Sequence, residues 1–221
     1  MFCKGSIMIN PVQVRGVLVN TNDLKGAGSL VTLTLSATDE PGLKPDSRMK
    51  DIHRWEGQDW AKKRIKPEFE DAAQRAFERF PDANGAGVQW LLTRDDRTRD
   101  DNGTLHRIGG PSLGVAFAVG RILLQRDDVE AQVVRSGLRL MVISAQLGKD
   151  LHDDIQLSLI GELGSKLRAL QDPREGIQAL AIADDQDDVP GDCGLRLIKA
   201  SSVKKLITEM AKAMVDVVYD L

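Results

Sequence analysis

Ser112 lies in Gly110-Pro111-Ser112-Leu113-Gly114, which satisfies the Gly-x-Ser-x-Gly form of a nucleophile elbow. A serine hydroxyl is a weak nucleophile and needs a base to take its proton. Three histidines are present, His53, His106 and His152, all among polar residues and forming no ligand set. Only His152 follows Ser112, in a polar turn with about seventy residues after it. That position does not suit the late histidine of an α/β-hydrolase triad, so an esterase of that type is a distant reading. The other available base is a neutral lysine, as in Ser–Lys enzymes. A plain structural role for Ser112, capping the following helix, competes with the catalytic one.

The elements that must position this serine are legible from periodicity. Val12, Val14, Val17 and Val19 form a strand around Gly16, a glycine that marks a bulge or a close backbone approach. Ser29 to Ala37 alternates strictly, with Val31, Leu33 and Leu35 on one face. Residues 38 to 66 read as polar and irregular, and Trp55, Trp60 and Trp90 as packing residues. Pro67 opens a helix whose stripe is Phe69, Ala72, Ala73, Ala76, Phe77 and Phe80, and Pro81 ends it. Val88 to Thr93 is a short buried strand. Arg94 to Gly103 alternates in charge without an apolar residue, as a solvated loop or a flap beside Ser112 would.

Leu113 to Leu124 is almost wholly apolar and reads as a buried helix, which places Ser112 at its N-terminus. Unpaired N–H groups there can stabilise an oxyanion. Leu138 to Leu147 and Ile155 to Ile160 read as strands, Lys166 to Leu170 as a helix, and Ile177 to Ala183 and Leu195 to Ile198 as strands. Ser201 or Ser202 caps a closing helix carrying Val203, Leu206, Ile207, Met210 and Met214. The pattern predicts a single mixed α/β (α+β) domain.

Gly109-Gly-Pro-Ser-Leu-Gly-Val-Ala-Phe-Ala resembles the nucleophile segment of Lon proteases, Asp-Gly-Pro-Ser-Ala-Gly-Ile-Ala. That family's catalytic lysine sits in a Gly-Gly-Leu-Lys turn about ten residues before a Gly-Ile that opens a strand. Here Ile160-Gly-Glu-Leu-Gly-Ser-Lys166 is followed by Gly176-Ile177, so Lys166 matches the lysine and Lys149 is a fallback. Ser144, in Val142-Ile143-Ser144-Ala145, falls where the family carries a threonine that hydrogen-bonds the lysine. The order of elements is similar through nearly the whole chain. The resemblance implies a mixed-sheet Lon proteolytic-domain-like fold over residues 11–221, and residues 1–10 before the first strand read as a leader. It implies a Ser112–Lys166 dyad supported by Ser144, Gly110 and Gly109, hydrolysing protein or peptide substrates. It also implies a homo-oligomer, since the family works as a ring of six.

The departures are specific. Gly109 replaces an acidic residue, Ala145-Gln146 replaces Gly-Glu, and the turn before Lys166 carries about two extra residues. They support a second reading: an inactive Lon-like domain acting as a binding or scaffold module. Gly161-Glu-Leu-Gly-Ser-Lys166 does not satisfy a Walker A motif, so substrate unfolding calls for a separate ATPase, unless the substrates are already extended.

Composition sets the remaining bounds. A formal net charge of −3 gives no electrostatic reason to expect nucleic acid. Two cysteines, Cys3 and Cys193, form no CxxC pair, and no cofactor or metal site is expected. So few cysteines in a chain of 221 residues suit a reducing compartment, and the cytoplasm is the expected location. No apolar stretch approaches the ~20 residues of a membrane span, and the apolar part of the N-terminus is too short for a secretion signal.

Overall fold

Two strands with opposite demands begin the architecture. In β1 (Val12–Val19) and β2 (Gly28–Thr38), alternate residues face opposite sides, and the pair runs antiparallel without a break from Val12↔Leu35 to Val19↔Gly28. Gly16 therefore marks no bulge. The computed structural model of the chain describes residues 10–19, 28–48, 67–81, 85–94, 111–148, 157–158, 163–171, 175–189 and 193–219. Expectations about His53, Trp55, Trp60, His106, Gly109, Gly110, Lys149 and His152, and about most of the loop after Arg94, lie outside these residues.

The remaining described elements are β3 (Leu43–Pro45), α1 (Pro67–Arg79), β4 (Gly87–Arg94), α2 (Gly114–Gln125), α3 (Val129–Gly137), β5 (Met141–Ile143), β6 (Gln146–Leu147), β7 (Leu157–Ser158), α4 (Leu163–Leu170), β8 (Ala179–Ala183), β9 (Arg196–Ala200) and α5 (Val203–Tyr219). Seven strands form one mixed sheet in the order β3-β4-β2-β1-β5-β8-β9, and β6 pairs separately with β7. Only β2 runs against the others in the large sheet. The fold is therefore mixed α/β. Among the described residues, no helix is long and apolar enough to cross a membrane.

The sheet separates two cores. On one face Val14, Val31, Leu33, Met141, Ile143 and Ala181 pack with α1, α2 and α5. Phe69, Trp90 and Phe117 meet there edge to face, with ring centroids 5.5 to 6.0 Å apart, so Trp90 is a packing residue as expected. On the other face Val17, Leu30, Val142, Leu180 and Ile182 pack against Leu163, Leu167 and Leu170 of α4, and buried Cys193 joins them. Successive residues of β5 and β8 go to opposite cores, as burial on both faces of a parallel region requires.

Several sequence expectations change. The stretch 38–66 contains an edge strand, β3, which pairs in parallel with β4. The expected strand Leu138 to Leu147 is a 3-10 turn (Leu138–Leu140), β5 and β6, because the chain leaves the large sheet after Ile143. The helix α3 was not anticipated. Asp128 caps it, its side chain accepting from Ala131 N at 3.0 Å. Ser202, rather than Ser201, makes the capping bond of α5, accepting from Lys205 N at 3.3 Å.

Candidate active site

Strand β5 brings the first candidate residue to the end of the sheet. Ser144 follows its last residue, and Ser144 N donates to Ala181 O at 3.0 Å, which extends the ladder to β8 by one bond. Its side chain is 1% exposed, and its Oγ has no hydrogen-bond partner among the described residues. A buried hydroxyl without a partner is destabilising and invites a functional explanation. The hydrogen bond from Ser144 to Lys166 that the resemblance implies is therefore not formed.

Ser112 occupies a 3-10 turn, Pro111–Leu113, immediately before α2, and is 8% exposed. The turn is fastened by its neighbour. Leu113 Cδ2 fills the space a side chain on Gly16 would need, and Ile143 O lies 3.6 Å from that same point. Val115 N reaches Ala145 O in a long hydrogen bond of 3.5 Å. Together these contacts set the turn that carries Ser112 against Gly16 of β1 and against the chain leaving β5 at Ile143–Ala145. Leu113, not Ser112, holds the N-cap position of α2, and its side chain makes no capping bond. Helix capping does not account for the serine.

Lys166 is the fourth residue of α4, which begins three residues earlier than expected, at Leu163. Leu163, Lys166, Leu167 and Leu170 form its buried stripe, and Lys166 is 5% exposed. A solvated helix lysine would look different; this one points into the core face, which lysines rarely do. Gly28 admits the helix: a Cβ there would stand 2.7 Å from Ser165 O, 2.8 Å from Ala169 Cβ and 3.4 Å from Lys166 Cα. Since Gly28 pairs with Val19, α4 crosses the sheet at the end where β1 finishes.

The elements that carry Ser112 and Lys166 thus pack on opposite faces of the sheet, the first at Gly16 and the second at Gly28, toward the end where β1 and β5 finish, and Ser144 follows β5 at that end. The strand order also reverses there, β2 lying on one side of β1 and β5, β8 and β9 on the other. Crevices outside the carboxyl ends of parallel strands at such a switch point are common ligand sites. Among the described residues, no group of three or more His, Cys, Asp or Glu could hold a metal ion. The chain matches no protein-family model and no curated protein.

Proposed function

We propose that the chain is a Lon-like serine peptidase in which Ser112 is the nucleophile and Lys166 the general base. The observation that carries the reading is the burial of a hydroxyl and an amine, those of Ser112 and Lys166, on elements that pack near one end of the sheet. The reaction follows from their chemistry. The neutral Lys166 amine takes the Ser112 proton as Oγ attacks the scissile carbonyl carbon. N–H groups at the start of α2 hold the oxyanion. The lysine ammonium then protonates the departing amine, and a water activated by Lys166 releases the acyl group from Ser112. By resemblance, the part of Ser144 would be to hydrogen-bond the lysine; its Oγ has no partner among the described residues. The enzyme, by the same resemblance, assembles as a homo-oligomeric ring; its few cysteines suit the cytoplasm, and its substrates are either unfolded by a separate ATPase or already extended.

A peptide boronate or fluorophosphonate tests the reading directly. Covalent labelling of Ser112 in the wild type, absent in Ser112→Ala, is the expected result. A folded wild type that neither labels nor cleaves peptides, with or without ATPase partners, would instead support an inactive Lon-like binding or scaffold module. The unmade Ser144–Lys166 bond favours that second reading.

A further inference from the structure

A groove of about 460 Å³ opens beside the start of β1, between that strand and the end of α3. Its lining includes Arg15, Arg135 and Arg139 together with Gln13, Thr32 and Ser136, and no carboxylate lines it among the described residues. Three arginines in one groove are unexpected on a chain of net charge −3.

Two of the guanidinium groups are held in place by the fold. Arg15 donates to Arg139 O and Glu175 O at 3.0 Å each and to Glu175 Oε2 at 2.9 Å. Arg135 donates to Leu123 O and Arg126 O, the carbonyls at the end of α2. Glu175 offsets the charge of Arg15. Asp127, 3.7 Å from Arg135, is almost fully in solvent and offsets little. Arg135 and exposed Arg139 therefore leave the groove positive.

We propose that this groove binds a small anion carrying a phosphate group. Guanidinium forks match phosphate oxygens in pairs and hold them more strongly than neutral donors do. Arg15 and Arg135 are already ordered, so binding costs little further side-chain entropy. Gln13, Thr32 and Ser136 add neutral hydrogen-bonding groups. The volume lies in the range of small-molecule sites and exceeds what one phosphate needs, so the rest of the ligand has room. The inference does not rest on the Ser112–Lys166 dyad.

Isothermal titration calorimetry on the full chain, with pyrophosphate and succinate at one fixed ionic strength, tests the proposal. Wild type and Ser112→Ala should bind pyrophosphate saturably and alike, and more tightly than succinate. Arg139→Ala should weaken binding by about tenfold or more, the loss expected of a charge-assisted hydrogen bond. Arg139→Glu should abolish it, while Arg139→Lys should fall between Ala and wild type. Unchanged melting temperatures would show that these surface variants stay folded. Succinate binding as tightly as pyrophosphate would overturn the phosphate assignment. Pyrophosphate binding unaffected by Arg139→Glu would overturn the location, and no saturable binding at millimolar concentration would overturn the site.

Discussion

Gly16 and Leu113 compete for one volume: a Cβ on Gly16 would overlap Leu113 Cδ2. The glycine thereby lets the turn carrying Ser112 settle on the sheet. Leu113 is 1% exposed and has no solvent to swing into. Gly16→Ala is expected to cost about 1–3 kcal/mol, the usual range for overpacking a core. Leu113→Ala in that background should cost less than it does in the wild type, a coupling that a urea double-mutant cycle measures. Strict additivity would show that the two residues do not share the space.

Gly28→Ala should be the harsher change. Its methyl would meet Ser165 O, a backbone atom that no rotamer can move, so α4 must shift as a whole. Since α4 carries Lys166, the variant should lose peptidase activity more steeply than thermal stability. Catalytic geometry is sensitive to displacements of about 1 Å. A variant that melts normally and keeps wild-type kcat/KM would separate α4 from the chemistry.

Ser112 and Lys166 should behave as one unit. Ser112→Ala and Lys166→Met are each expected to abolish peptide hydrolysis, and the double variant should be no worse than either. Methionine keeps the apolar stem packed in the α4 stripe while removing the base. Because Leu113 and not Ser112 holds the N-cap of α2, Ser112→Ala should cost less than the ~1 kcal/mol typical of a lost N-cap. In a boronate complex, Ser112 Oγ and Lys166 Nζ should lie within about 2.6–3.2 Å of each other. Full activity in Lys166→Met would remove the lysine from the mechanism.

Acid should loosen the junction of α3 with the rest of the fold. Hydrogen bonds from Arg126 at 2.7 and 2.9 Å, and one from Ala131 N, lower the Asp128 carboxyl to about 2. Glu130 is lowered as well, first by Arg126 and then by Thr208 of α5. A depressed folded-state value means stability that is present above the unfolded value, ~3.9 for aspartate, and lost as pH falls through about 2. Melting temperature should drop across that window, and Asp128→Asn, which can still cap α3, should flatten the drop. Equal slopes for the two proteins would place the acid sensitivity elsewhere.

Much of the fold was legible because local periodicity reports burial. The alternation of β1 and β2, the Phe69 to Phe77 stripe of α1 and the continuous apolar run of α2 each state which face must leave water. Gly16 could be read as a site of close approach, though not what approaches it. The edge strand β3 is three residues long and takes its conformation from pairing with β4, so its own sequence carries little signal. Asp128 is a recognisable N-cap, yet Val129 stands 76% exposed at the start of α3 and blurs its amphipathic pattern.

For the site, the serine segment was visible in the sequence because its glycines and proline are contiguous. Lys166 also shares a helical stripe with Leu163, Leu167 and Leu170, but a lysine on such a stripe can extend into solvent or lie buried, and periodicity does not choose between them. The choice was made by Gly28, more than 130 residues away, whose missing side chain lets α4 close onto the sheet. Arg15, Arg135 and Arg139 likewise meet only because β1 pairs in parallel with β5. Local spacing determines which face of an element is apolar, but chemistry that depends on residues from separate elements exists only once non-local pairing has brought them together.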